Sequence, residues 1–185
     1  GKWYKISFFT YGDHSDHDYN NLLGDIKVYP IFSSFKSTNN KIKKLFYILF
    51  SIKKYKKLFS RSDVFITNQM RGAWVPLICK ILYNKPLITR CGHEWFRNAL
   101  RDKKFGLSKI VLYFFGYIFE LVIYTFSNKI IISSITDKNF INKLFPINNK
   151  KIFLIRNYID TSIFNPENNF SNSKERKKSI LYIGR

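Results

Sequence analysis

The sequence predicts an α/β fold: a parallel β-sheet with flanking helices. Three observations lead there. Strand-like and helix-like segments alternate along the chain with short polar connections, the pattern of βαβ units. Two strand-like runs, 64–66 and 130–132, are wholly apolar, as expected of parallel strands buried on both faces. Hydrophobic residues make up 45% of the chain and aromatic residues 18%, too many for a disordered chain and enough for a substantial core over 185 residues.

WYKISFF (3–9) reads as a strand, and YGDHSDHDYNN after it as a polar loop. DIKVYPI (25–31) is a short strand ended by Pro30. The stretch 41–59, KIKKLFYILFSIKKYKKLF, has helical length, with lysines at both ends of an apolar middle. DVFIT (63–67) is strand-like and RGAWVPLICKILY (71–83) helix-like, with Pro76 falling early, where proline is best tolerated. Asn84 and Lys85 turn the chain into the strand PLITR (86–90). The long run LSKIVLYFFGYIFELVIYTF (107–126) has Glu120 near its middle and falls short of ~20 uninterrupted apolar residues. A charge at mid-bilayer is costly, so a buried or surface-associated helix is expected rather than a membrane span. KIIIS (129–133) is the clearest strand, by its β-branched residues. TDKNFINKLF (136–145) reads as a helix, with Thr136 or Ser134 as N-cap and Pro146 just past its end. KIFLIR (151–156) is a strand, NPENNFSNSKERKK (165–178) a linker, and SILYIGR (179–185) one more strand followed by Gly-Arg.

The net charge is +20, a field that attracts phosphates on nucleic acid, anionic lipid or a charged small substrate. A composition rich in Lys, Asn, Ile, Phe and Tyr together is a blander source of the same excess. Cys79 and Cys91 have no paired spacing, which argues against a disulfide framework or a structural zinc and fits a reducing cytoplasm. No secretory leader pattern is visible. The chain opens on Gly1, read as a sign that its start lies further upstream.

In IRNYIDTSIFNP (155–166) a strand ends at Arg156, Asn157 and Asp160 hold a turn, and Phe164 is an apolar anchor before Pro166. These residues resemble the Asn-x-Ile/Val-Asp-x-x-x-Phe-x-Pro signature of family 4-like glycosyltransferases, through Asn157, Ile159, Asp160, Phe164 and Pro166. SILYIGR is similar to the strand that opens the family's second domain, ending in Gly184 and Arg185. KIIISSITDKNFINKLF and NKPLITRCGHEWFRN resemble units upstream of the signature, so the likeness spans roughly residues 60–185.

The resemblance implies the N-terminal, acceptor-side domain of a GT-B fold, a Rossmann-like parallel sheet incomplete at both ends. Residues 1–164 would form that domain without its first strand, 165–178 the linker, and 179–185 the first strand of a C-terminal domain. It also implies transfer of a sugar from a nucleotide-sugar donor, with retention at the anomeric carbon, to a glycan or lipid-linked acceptor. The nucleotide-sugar is then a co-substrate, and no other cofactor is expected. The fragment alone is expected to be inactive. Its place would be the cytoplasm, with an anionic membrane surface on the inner face of the cell membrane as a further partner.

Ligands of doubly wound sheets bind beyond the carboxyl ends of the strands. That rule selects loops 11–18, 68–72, 91–98, 133–136 and 157–160. In RCGHEWFR (90–97), Gly92 lets backbone approach a ligand. His93 is the catalytic candidate, as a general base or a hydrogen-bonding partner of a hydroxyl or phosphate. Arg90 and Arg97 can hold an acceptor phosphate. Alternatively His93 caps the next helix and Glu94 is a first-turn charge; Glu94 otherwise joins the acceptor set. Many family members have a His before the loop glycine, where this chain has Cys91. Gln69 and Arg71, where a strand meets a helix N-terminus, are acceptor candidates or surface caps. Arg185 resembles the family's donor-phosphate arginine.

DHSDHD (13–18) has ligand-type residues without a closed set, so no metal is expected. The helix 41–59 can lie on an anionic membrane or pack on the sheet. Two rival functions stay open. One is a basic nucleic-acid-binding module, although no RNP-like, KH-like or zinc-finger pattern occurs and no nucleic acid is expected. The other is a non-catalytic membrane-surface scaffold.

Overall fold

Three consecutive isoleucines after Lys129 make the extended backbone the favoured state, because β-branched side chains are stiff at χ1 and pack well on a pleat. That run is an inner strand of the sheet. The computed structural model describes residues 4–35, 38, 40–91, 96–97 and 107–157. In chain order these form β1 (Ser7–Thr10), α1 (Tyr19–Leu22), β2 (Lys27–Pro30), α2 (Lys41–Lys54), α3 (Lys56–Arg61) and β3 (Phe65–Thr67). Then come α4 (Trp74–Tyr83), β4 (Leu87–Cys91), α5 (Leu107–Phe126), β5 (Lys129–Ile132), α6 (Ile135–Leu144) and β6 (Ile152–Leu154). The fold is α/β and Rossmann-like. Its described strands form two parallel sheets, β1-β2 and β3-β4-β5-β6.

Register decides which side chains meet the helices. Thr67, Thr89, Ile130 and Ile152 lie in line across the four strands and are buried. On the same face Phe65 and Leu87 meet Ile48 and Ile52 of α2, Phe59 of α3 and Val75 and Cys79 of α4. Cys91, Ile130 and Ile132 meet Ile123 and Tyr124 of α5 and Ile141 of α6. Fully burying one such Leu or Ile contributes about 1.5–3 kcal/mol. The other face is open among the described residues: Ile66 is 61% exposed, Phe153 42%, and Arg90 and Lys129 stand beside them. The expectation that apolar strands are buried on both faces therefore does not hold for β3. The described helices that enclose the core pack against one side.

β1 and β3 do not pair with each other. Side chains join them instead. Phe9 of β1 and Phe65 of β3 both rest on the Phe59 ring, at centroid distances of 4.7 and 6.1 Å. The Tyr11 hydroxyl donates to the Gly72 carbonyl at 3.0 Å. A Cβ at Gly72 would stand 3.1 Å from the Tyr11 ring, so glycine keeps this approach open.

The single helix expected over 41–59 is two helices. Its start is capped by the Asn40 side chain, which accepts from the amides of Ile42 and Lys43. The break falls at Tyr55, whose φ of −95° and ψ of 19° leave the helical region. The turn lets Phe59 enter the core while Tyr55 packs edge-on against Phe9 and Tyr29. Pro76 sits in the first turn of α4, where its missing N–H leaves no intrahelical bond unmade. The first strand is shifted relative to WYKISFF, to Ser7–Thr10. No helix among the described residues is long and apolar enough to cross a membrane. The linker 165–178 and SILYIGR lie outside the described residues.

Candidate functional site

The carboxyl ends of β3, β4, β5 and β6 lie along one edge of the sheet, because all four strands are parallel. β4 brings Arg90 there on the open face. Its guanidinium donates through Nη2 to Asn157 Oδ1 at 2.7 Å and through Nη1 to Asn68 Oδ1 at 3.3 Å. Asn68 follows β3 and Asn157 follows β6, so one side chain ties together loops from strands on either side of β4. Both acceptors are neutral amides. Among the described residues no carboxylate pairs with Arg90, and the exposed Arg90 presents its positive charge to solvent. Exposed Arg156 stands next to Asn157 in the chain.

Gln69 belongs to the same loop as Asn68. It is exposed and extended, and its carbonyl accepts from the Gly72 amide at 3.2 Å. Arg71 lies in the 3-10 turn Met70–Gly72 that precedes α4, with its side chain outside the description. The turn is pinned by Met70, which is 1% exposed.

Arg97 is placed differently from Arg90. It forms an ion pair with Asp137 in the first turn of α6, and its guanidinium lies 5.2 Å over the Phe140 ring. Asp137 is itself fixed: Ser134 Oγ donates to its Oδ2 at 2.6 Å and accepts from its amide at 3.1 Å. Ser134, of the two predicted caps, is the one that caps α6. The Arg97 charge is therefore engaged within the fold, and its side chain is only 16% exposed.

Beside Arg97, the Phe96 amide donates to Glu120 Oε1 at 2.8 Å. Its ring packs against Tyr117 and Phe145. Glu120 is fully buried, so the charge that argued against a membrane span is a bracket for this loop. Both feet of the loop are thus anchored, one by Cys91 at the buried end of β4 and one by Phe96 and Arg97. Gly92, His93 and Glu94 between them lie outside the described residues, as does Arg185.

The loop after β1 has its own hydrogen bonds. Asp13 Oδ1 accepts from the Ser15 amide at 3.0 Å and from its hydroxyl at 2.8 Å, and these bonds hold the carboxyl below its usual range. The His14 and His17 rings are 6.0 Å apart. Among the described residues no group of three or more His, Cys, Asp or Glu is gathered as for a metal ion.

Sequence reading missed Asn68 and the role of Glu120. Asn68 had a signal, its place just after a strand in the selected loop 68–72. Glu120 had none, because its partner is a backbone amide 24 residues away.

No protein-family model and no curated protein matches the sequence. Solved structures do match in fold. The chain is similar to Anabaena HepE (Alr3699) in complex with UDP and glucose, with a TM-score of 0.55 and 10% identity over 85% of this chain and 38% of that one. The complex of HepE with UDP-glucose gives a TM-score of 0.55 and 12% identity, over 85% and 37%. The UDP complex gives 0.54 and 11%, over 85% and 38%. This chain thus spans less than two fifths of HepE. At such identity the likeness establishes the Rossmann-like α/β fold.

Proposed function

We propose that this chain is the acceptor-side part of a retaining glycosyltransferase of GT-B architecture, related to the family 4-like enzymes. The observation behind the reading is Arg90. Its guanidinium stands at the carboxyl edge of a parallel sheet, where such folds bind ligands, held by two neutral amides and paired with no carboxylate among the described residues. A guanidinium fixed in that way suits a phosphate or carboxylate on an acceptor. The fold likeness to HepE, crystallised with UDP and UDP-glucose, supports a nucleotide-sugar as donor.

Arg90 anchors the acceptor, Gln69, Arg71, Gly92 and Glu94 are further acceptor-binding candidates, and His93 is the general base or hydroxyl partner. Arg97 steadies the loop through Asp137 more than it meets the acceptor. Arg185 belongs to the donor side, where it meets the donor phosphates. The reading extends to a glycan or lipid-linked acceptor in polysaccharide synthesis, at the inner face of a membrane. These 185 residues alone transfer no sugar.

The test is a transfer assay on the full-length protein with a panel of nucleotide-sugars, product detected by mass. Transfer with retained anomeric configuration, weakened by Arg90→Ala, is expected. Absence of transfer from every donor, or wild-type rates from the Arg90 variant, would count against the reading. Turnover by the 185-residue chain alone would overturn the claim that it is inactive.

A further inference from the structure

Helix α2 is built inside out on one side. Ile48, Ser51 and Ile52 are buried against the core. On the opposite side Ile42 is 66% exposed, Phe46 64% and Phe50 56%, with Leu49 beside them. Phe35, Phe46, Tyr47, Leu49, Phe50 and Lys53 line an open trough of about 460 Å³. Lys43, Lys53 and Lys54 are exposed along this strip, and Lys44 of α2 and Lys56 and Lys57 of α3 are exposed as well. Residues 41–61 contain seven lysines, one arginine and no acidic residue.

Helix α5 shows the same arrangement with a single lysine, Lys109, in its first turn. Gly116, Glu120, Ile123 and Tyr124 face inward, and Val111, Phe114, Phe115, Ile118, Val122 and Phe126 are exposed on the far side. α4 lies between the two helices and touches both. Exposed apolar side chains gathered on a helix face and rimmed by polar residues mark an interaction surface.

We propose that the outer faces of α2 and α5 dock this protein onto an anionic lipid bilayer. The lysines meet the headgroups, and the phenylalanines enter the acyl boundary. Charge complementarity selects this occupant over another apolar surface, because a strip with lysines along it and without one carboxylate repels a second copy of itself. The inference deepens the peripheral-membrane part of the proposed function and rests on that part alone.

Sedimentation with vesicles of phosphatidylglycerol and phosphatidylcholine tests it, against vesicles of phosphatidylcholine only, with no sugar donor present. Binding to the anionic vesicles, weakened by salt, is expected. Phe46→Ser with Phe50→Ser should lower affinity about tenfold or more, since each exposed ring contributes apolar burial only on the membrane. Lys53→Gln with Lys54→Gln should lower binding to anionic vesicles and leave neutral ones unchanged. A Phe50→Trp variant reports insertion by a blue shift of its indole emission, beyond any change in the wild-type chain, and needs no loss of function. Equal binding to both vesicle types, no added blue shift from the Phe50→Trp variant, or a dimer in solution that the Phe46 and Phe50 changes dissociate would each overturn the proposal. Sugar transfer to a water-soluble acceptor without vesicles is read separately, so either reading can fail alone.

Discussion

Arg90 and Asn157 are 67 residues apart in the chain and share a hydrogen bond of 2.7 Å. The bond joins the end of β4 to the segment that follows β6, across the strand between them. It also joins the best anion-binding candidate to the first residue of the signature-like stretch 157–166. A neutral partner orients the guanidinium without cancelling its charge.

Asn157→Asp is the sharpest probe of that relationship. The new carboxylate would sit where the amide oxygen now accepts, convert the bond into an ion pair, and neutralise Arg90 in place. The fold should be kept, while, on the function proposed above, KM for an anionic acceptor in the transfer assay rises about ten- to a hundredfold, the span of one charge-assisted hydrogen bond. Arg90→Ala should give a similar rise, with Arg90→Lys between the two. Steady-state kinetics separating KM from kcat will read this; an effect on kcat alone would place Arg90 elsewhere in the reaction.

Glu120 should matter for stability through its bond to the Phe96 amide. Glu120→Ala removes the acceptor of the Phe96 amide and opens space beneath α5, at a cost of about 2–4 kcal/mol. Glu120→Gln keeps an acceptor oxygen and should cost less. Urea unfolding of the two variants orders them; equal losses would show that the charge matters more than the acceptor.

Phe59 is the ring on which β1 and β3 both rest. Phe59→Ala should destabilise by about 3–5 kcal/mol, and Phe59→Leu by markedly less. Because the ring joins the two sheets, the β1-β2 amides should lose hydrogen-exchange protection before those of β4 and β5. Uniform loss across both sheets would show that they open as one unit.

The Cys79 thiol is fully buried, and burial pushes its pKa from an ordinary 9.0 to about 12. Unfolding above pH 9 therefore releases a proton. The contribution is fully present below pH 9 and is lost as pH rises through about 12. Denaturation midpoints taken across that window should fall, with this thiol adding a slope of at most about 1.4 kcal/mol per pH unit. Cys79→Ala lowers stability at every pH but should have the shallower slope; parallel slopes would mean that the thiol does not contribute.

Local signals were legible where chemistry and backbone preference agree. The isoleucines of β5, the Ser134 cap of α6 and the early proline of α4 each announce their element within a few residues. What could not be read depends on partners far along the chain. The break at Tyr55 serves Phe59, which answers to Phe9 and Phe65. Apolar character could not reveal that Ile66 faces outward, because helix placement decides that. In the site, the strand-end rule found Arg90, but its amide partners come from loops whose meeting depends on sheet register.

The separation of β1 from β3 has a practical consequence. Each strand pairs on one side only among the described residues, so each presents a row of amides and carbonyls that no described strand covers. Such rows are templates for strands from other molecules, and short apolar segments nearby make the exchange easier. Preparations of this chain should therefore be most prone to self-association at high concentration and near neutral charge. Low ionic strength should counter this, since the net charge of +20 then keeps copies apart over the longest range.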